Sequence, residues 1–215
     1  MSFLRRLKKY MKKIYKKNNK KKKEQLNYMG MDLDSLEELS FCFWCEELIE
    51  AGYISKVTRA KSYLLTDGIH NTYSYVKQLK TKSKPISSTQ TILQGSSYNP
   101  DFHIYWTPKG IEKFCWQIGT NSKCDKLFIN DLHFVLNGYT TVEIKPTFDQ
   151  NGMERLFKNN QKFLYDKYMI FANLVKPQHL FEATFTPEKY HYTAKTKQKR
   201  KITFKTRTLK EYLPI

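Results

Sequence analysis

Long apolar runs are missing from this sequence. No stretch approaches the roughly 18 uninterrupted apolar residues of a membrane-spanning helix, and the first residues lack the apolar block and small-residue site of a secretory signal. Neither integral membrane association nor secretion is expected. Cysteine is scarce: Cys42, Cys45, Cys115 and Cys124 are too few and too unevenly spread to staple 215 residues, which suits a reducing compartment. Acids are outnumbered, 20 Asp plus Glu against 38 Lys plus Arg, for a formal charge of +18. That excess points to a polyanionic partner and says nothing about fold. A P-loop string is absent, which excludes nucleotide hydrolysis by that route, and no serine sits in a nucleophile elbow. The five histidines, His70, His103, His133, His179 and His191, show no metal-ligand pairing, and no internal repeat is visible.

What is present is material for a core. Hydrophobic residues make up 40% of the chain and aromatics 15%, too many large apolar groups for a disordered polymer, and the length suits one domain with decorations. The expected organisation is a basic amphipathic arm and linker over 1–30, a folded domain over 31–180 and a basic C-terminal β extension over 181–215. The stretch from Met1 to Lys23 holds twelve Lys and Arg and no acid, which leaves +6 on the remainder. Phe3, Leu4, Leu7, Met11, Ile14 and Tyr15 recur through it at helical spacing. Such an arm could grip phosphates, lie on an anionic membrane surface, dock on an acidic protein or remain a solvated tail.

A globular helix is expected over Asp34 to Glu50, opened by Ser35 with Glu38 three residues on in the capping-box spacing. On a helical wheel Phe41, Trp44, Cys45, Leu48 and Ile49 share one face while Glu46, Glu47 and Glu50 point the other way. Glu37 and Glu38 fall on the edges of the apolar face, so at least one carboxylate is aimed coreward. Cys42 and Cys45 form a C-x-x-C, a spacing that zinc or a redox pair would use, but within this helix they read as small buried hydrophobes. Strands are expected over Lys61–Thr66, Thr72–Leu79, Thr89–Leu93, Phe102–Trp106, Thr140–Ile144 and Met169–Val175. A second helix is expected over Met153–Tyr168, an irregular stretch over Thr107–Asn137 and a charged edge strand over Lys201–Arg207. The fold class is α/β (α+β): a central mixed sheet flanked by helices.

Two short strings carry chemistry: Pro100-Asp101-Phe102 and Glu143-Ile144-Lys145. Side chains alternate along a strand, so Glu143 and Lys145 leave the same face, and Asp101 can present a second carboxylate from a neighbouring strand. Two carboxylates suit a hard divalent cation that keeps several waters, and a neighbouring ammonium can orient or deprotonate a water and offset charge on phosphorus. An isolated E-x-K is otherwise a cross-strand ion pair.

Together these strings resemble the PD-(D/E)xK nuclease superfamily, with Pro100-Asp101 and Glu143-Ile144-Lys145 matching its two halves. The helix bearing Glu37 and Glu38 stands where many members carry a further acid. Gln161-Lys162-Phe163-Leu164-Tyr165 matches the Q-x-x-x-Y string that follows E-x-K in some members. The resemblance runs from about Asp34 to Val175 and implies a restriction-endonuclease-like core. It implies a catalytic set of Glu38, Asp101, Glu143, Lys145 and Gln161, with Mg²⁺ or Mn²⁺ held by Asp101, Glu143 and Glu38. Glu38 is preferred to Glu37 because Phe41, Cys45 and Leu48 continue its stripe. The long stretch between Asp101 and Glu143 and the Pro146 directly after Lys145 depart from the family pattern.

The expectation is a metal-dependent DNA endonuclease, encoded by a phage or mobile element and acting in the bacterial cytoplasm in recombination, repair or processing. Roles as a junction resolvase, a transposon's strand-cleaving subunit or a head-completion nuclease all fit. DNA is the expected partner, held by the arm and by Lys195, Lys197, Lys199, Arg200, Lys201, Lys205 and Arg207. A homodimer and a phage protein docked on the arm also stay open. The rival is a non-catalytic nucleic-acid-binding or structural virion protein that keeps the nuclease fold. If the arm grips DNA, deleting Met1 to Lys23 will weaken binding and flatten the dependence of log affinity on log salt while sparing the metal-dependent chemistry. An unchanged salt slope would move the arm to docking or to an idle tail.

Overall fold

The computed structural model describes residues 26–117, 127–130, 138–149 and 152–213. The expectations for the basic arm and for Cys124 and His133 lie outside them. The described chain opens on a hairpin, β1 (Leu26–Tyr28) with β2 (Met31–Leu33), turned by Met29 and Gly30, both at positive φ as a tight hairpin turn requires. Ser35 then starts helix α1 (Leu36–Glu50): its hydroxyl accepts the Glu38 N–H at 3.1 Å, and the Glu38 carboxylate reaches back to the Asp34 N–H at 3.1 Å. Every side chain from Glu38 to Cys45 is buried, so the helix is covered all round instead of on one face. The cause is a second cover. Tyr28 meets the Phe43 ring edge-on at 5.1 Å, Lys189 pairs with Glu46 at 2.6 Å, and Glu47 accepts the Glu188 N–H at 2.6 Å. Glu46 and Glu47, expected to face solvent, are half-buried anchors, and Glu50 alone of the three is exposed.

The elements that follow are β3 (Ile54–Arg59), β4 (Tyr63–Thr66), β5 (Ile69–Gln78), β6 (Ser83–Leu93), β7 (Ser96–Tyr98), β8 (Phe102–Trp106), α2 (Pro108–Phe114), β9 (Cys115–Gln117), β10 (Phe128–Asn130), β11 (Thr140–Ile144), α3 (Met153–Tyr168), β12 (Ala172–Val175), α4 (Pro177–Ala183), a 3₁₀ turn (Glu188–His191) and α5 (Leu209–Tyr212). The central sheet has the order β12-β11-β8-β3. β3 and β11 run antiparallel to β8, whereas β11 and β12 are parallel and joined through α3. A parallel pair needs such a crossover. The fold is therefore mixed α+β around a mixed central sheet.

Both faces of that sheet are covered, which is why β11 is buried at all five positions. On one face Phe41, Trp44, Phe102, Ile104, Trp106 and Val142 join one core. Trp44 is its centre, within 6.5 Å of the rings of Phe41, Trp106, Phe114, Phe128 and Phe185, and its indole N–H donates to Thr184 at 2.9 Å. On the other face Phe157 and Leu164 of α3 meet Tyr63, Leu65, Tyr98 and Ala172. Among the described residues no helix is long and apolar enough to cross a membrane.

Three expectations are corrected. The stretch from Thr107, expected to be irregular, contains α2, whose N-cap Thr107 accepts the Gly110 N–H at 3.2 Å with Pro108 in the first turn. Lys201–Arg207 forms no strand, and Phe181, Phe185 and Leu213 belong to the main core, so 181–213 is not a β extension. Arg207 instead donates to the Thr184 carbonyl and to Ala183 O at 2.5 Å, capping the end of α4. The strand expected from Met169 begins only at Ala172, because Met169 takes the left-handed conformation that ends α3.

Gly110 lies hard against the chain, where an added Cβ would fall 2.0 Å from the Tyr53 carbonyl oxygen. Glycine to alanine inside a helix ordinarily stabilises by about 1 kcal/mol. Here the clash wins, and Gly110→Ala is expected to cost about 1–3 kcal/mol in urea unfolding, as overpacking does. A gain in stability would show that α2 is not seated on Tyr53.

Candidate active site

Asp101 stands just before β8, after a proline that fixes the approach of the chain. Its N–H donates to Val142 O at 3.0 Å, continuing the β8–β11 ladder by one rung. At the next rung its own carboxylate takes over, accepting the Ile144 N–H at 2.6 Å. The Asp101 side chain is thereby pinned to the backbone between Glu143 and Lys145. Glu143 is buried in β11, where one oxygen accepts from the Tyr98 hydroxyl at 2.8 Å and the other is ion-paired with Lys145. The Lys145 N–H donates to Val175 O at 2.9 Å, a bond that Pro146 could not have made.

Glu38 is the buried acid of the Glu37–Glu38 pair, at 5% exposure, whereas Glu37 is half-buried. It reaches this end of the sheet from the first turn of α1. Its carboxylate receives the Arg59 guanidinium at 2.6 Å and the Ser35 hydroxyl at 3.1 Å besides the Asp34 N–H. The closeness of these acids is felt at Asp101. Burial first, then the charges of Glu143 and Glu38, push its carboxyl up to about 7 against the opposing pull of the Ile144 N–H and Lys145. Burial and the Glu143 charge likewise raise the Tyr98 phenol, which keeps it a donor.

Among the described residues no group of three or more His, Cys, Asp or Glu is arranged to hold a metal ion. Glu38 is engaged by Arg59 and its cap, and Glu143 by Tyr98 and Lys145. Asp101, just before β8, and Glu143, in neighbouring β11, are the donor pair that the shared sheet end brings together. Two carboxylates suffice for a hard cation that keeps its waters. Burial, and after it the negative charge of Glu143, raises the Asp101 carboxyl, and a cation beside the two acids would relieve both effects.

Gln161 hydrogen-bonds to backbone and to none of these acids. Its amide donates to Ala172 O at 2.5 Å, tying α3 to β12, and it lines a shallow cleft of about 640 Å³ with Phe163, Tyr165 and Phe171 that none of Glu38, Asp101, Glu143 and Lys145 borders. His103 is a buried histidine, its ring 4.0 Å from that of Tyr139 and in reach of the Tyr63 and Thr141 hydroxyls. Cys42 and Cys45 are fully buried, and burial pushes the Cys42 thiol up to about 12. Of the C-terminal cations, Arg200 and Arg207 are committed to carbonyls and to the rings of Tyr190 and Tyr212, while Lys197, Lys199, Lys201 and Lys205 are exposed. Sequence reasoning missed Tyr98 and Arg59. Neither sits in a motif, and a register for β3 and β7 was the one signal that would have found them.

No protein-family model, curated protein or solved structure matches the chain.

The raised Asp101 carboxyl has a consequence for stability. Its folded value lies above the ordinary 3.8, so the folded state holds the extra proton between about pH 4 and 7, and stability falls as pH rises through that window. In EDTA, Asp101→Asn, which keeps an acceptor for Ile144, should flatten the decline and be more stable than wild type above pH 7. The gain should be on the order of 2 kcal/mol, because partial exposure screens the penalty. An identical decline in the variant would assign the proton elsewhere.

Proposed function

We propose that this chain is a metal-dependent DNA endonuclease of the PD-(D/E)xK type, hydrolysing phosphodiester bonds, encoded by a phage or mobile element and working in recombination, repair or processing. The observation that carries the reading is the closure of Pro100-Asp101 onto Glu143-Ile144-Lys145 through the Asp101–Ile144 hydrogen bond, which brings two carboxylates and an ammonium to one end of adjacent strands. The order α1, β3, β8, β11, α3, β12 around a mixed sheet supports a restriction-endonuclease-like core, and the +18 charge supports a polyanionic substrate.

Mg²⁺ or Mn²⁺ on Asp101 and Glu143 would polarise the scissile phosphate and lower the pKa of a water. The chain's own groups do the rest. Tyr98 holds Glu143 in place by donating to it, so the carboxylate cannot swing toward Lys145 alone. Lys145, tethered on Glu143, stands ready to orient the attacking water and to offset charge on the phosphorane. Glu38, with Arg59, anchors α1 beside the site and adds negative potential at Asp101.

Cleavage of supercoiled plasmid and branched DNA with Mg²⁺ or Mn²⁺ tests this. Asp101→Asn, Glu143→Gln and Lys145→Ala should each slow cleavage by about 100-fold or more with DNA binding retained. Tyr98→Phe, which leaves Glu143 without its donor, should cost about 10-fold, the scale of a supporting contact. Activity surviving all three site substitutions would end the nuclease reading. DNA binding without any cleavage by wild type would favour the non-catalytic binding protein.

A further inference from the structure

Strands β5 and β6 form a two-stranded antiparallel ribbon of 10 and 11 residues that pair only with each other. Every side chain in it is exposed except the half-buried Ile86 and Ser88. An isolated hairpin is marginal in water, and this one is weakened further by its charges. Lys77 lies directly opposite Lys84, and Lys80 and Lys82 sit at the turn closed by the Leu79 N–H to Lys82 O bond of 2.8 Å. Like charges in register repel. No Asp or Glu occurs between Gly68 and Pro100, and none of the described acids pairs with any of the four lysines. The face that carries Lys77 and Lys84 also carries Tyr73 and Tyr75, stacked with ring centroids 6.1 Å apart.

We propose that the β5–β6 ribbon is a DNA-gripping arm that enters a groove of duplex DNA, with Lys77, Lys80, Lys82 and Lys84 on the phosphates and the Tyr73–Tyr75 face toward the groove. A two-stranded ribbon fits the major groove in width, and ten residues span about 34 Å, one turn of duplex. Charge complementarity names the occupant: a basic ribbon without acids has its repulsion relieved by a polyanion. The ribbon is also joined to the site. It grows from the β4–β7 pair, in which Tyr63 opposes Tyr98, and Tyr98 donates to Glu143. A duplex held by the ribbon is therefore tethered to the strand pair that positions Glu143. Phosphate contacts set position without reading sequence, so the ribbon adds grip and register, not base specificity. This inference rests on the nuclease reading for its ligand.

The test uses the full chain with EDTA present and a labelled duplex of about three helical turns. Replacing the four lysines together with serine should weaken binding and reduce the slope of log affinity against log salt by about 3 to 4, since each phosphate that a lysine neutralises adds roughly 0.9 to that slope. In wild type the duplex should protect Lys77, Lys80 and Lys82 from trypsin, which does not cut at Lys84 before Pro85, a readout that needs no variant to fold. The ribbon proposal is overturned, with the nuclease reading untouched, if wild type binds the duplex but the variant has the same affinity and slope, or if trypsin cuts at Lys77, Lys80 and Lys82 equally fast with DNA bound. It is overturned in favour of a second copy of the chain if sedimentation finds a dimer that the variant converts to monomer. Failure of wild type to hold any duplex would sink both readings together.

Discussion

The geometry of the candidate site depends on one hydrogen bond, from the Ile144 N–H to the Asp101 carboxylate at 2.6 Å. In a parallel or antiparallel ladder each backbone donor meets a carbonyl. At this rung β8 has ended, and a side chain fills the place of the missing carbonyl. The bond satisfies a buried donor that would otherwise be costly, and it fixes an acid beside Glu143 that Coulomb repulsion alone would drive apart. Packing makes the strain sustainable: Phe102 and Val142 hold β8 and β11 in register from the α1 side, while Tyr98 and the α3 cluster close the other face. Charge is thus concentrated at one end of a sheet whose central strands β8 and β11 are otherwise almost wholly buried.

That concentration also explains how the two helices are used. α1 supplies the aromatic centre at Trp44 and, nearly two turns earlier, the Glu38 that pairs with Arg59 of β3, so a single element both fills the core and sets potential at the site. α3 supplies the crossover, and its Gln161 is spent on the Ala172 carbonyl. Asn173 acts similarly, exchanging two hydrogen bonds with the backbone of Ile129 and fastening β10 to β12. In each of the three cases, Asp101, Gln161 and Asn173, a polar side chain bonds to the backbone of a strand.

Much of this was legible from residue order. Met153–Tyr168, Phe102–Trp106 and Thr140–Ile144 form at the expected bounds, because strong periodicity and flanking Gly or Pro coincide there. Ser35 announced its helix through a cap that acts within four residues. β3 was not seen, since Ser55 and Lys56 break its alternation and its partner β8 is about fifty residues away. α2 hid behind Gly110, a poor helix former retained for its closeness to Tyr53. Asp101, Glu143 and Lys145 could be named from two strings. Tyr98 and Arg59 could not, because their roles exist only once β7 and β3 are in place. The Lys201–Arg207 alternation misled, since it arises from a coil that tucks Leu213 into the core and lends Arg207 to α4.

The β4–β7 pairing has a meaning for how such a chain can change. Thr66 and Ser96 face each other across that pair, bonded through their hydroxyls at 2.7 Å, and Gly95 approaches the Thr66 carbonyl so closely that only glycine fits. The two ends of everything between them are therefore already joined. Because loop closure grows only with the logarithm of length, sequence inserted or removed beyond this clasp perturbs the sheet little. The fold carries a graft point: a socket at which ribbons of other lengths and charges can be exchanged while the acids at the end of β8 and β11 keep their positions.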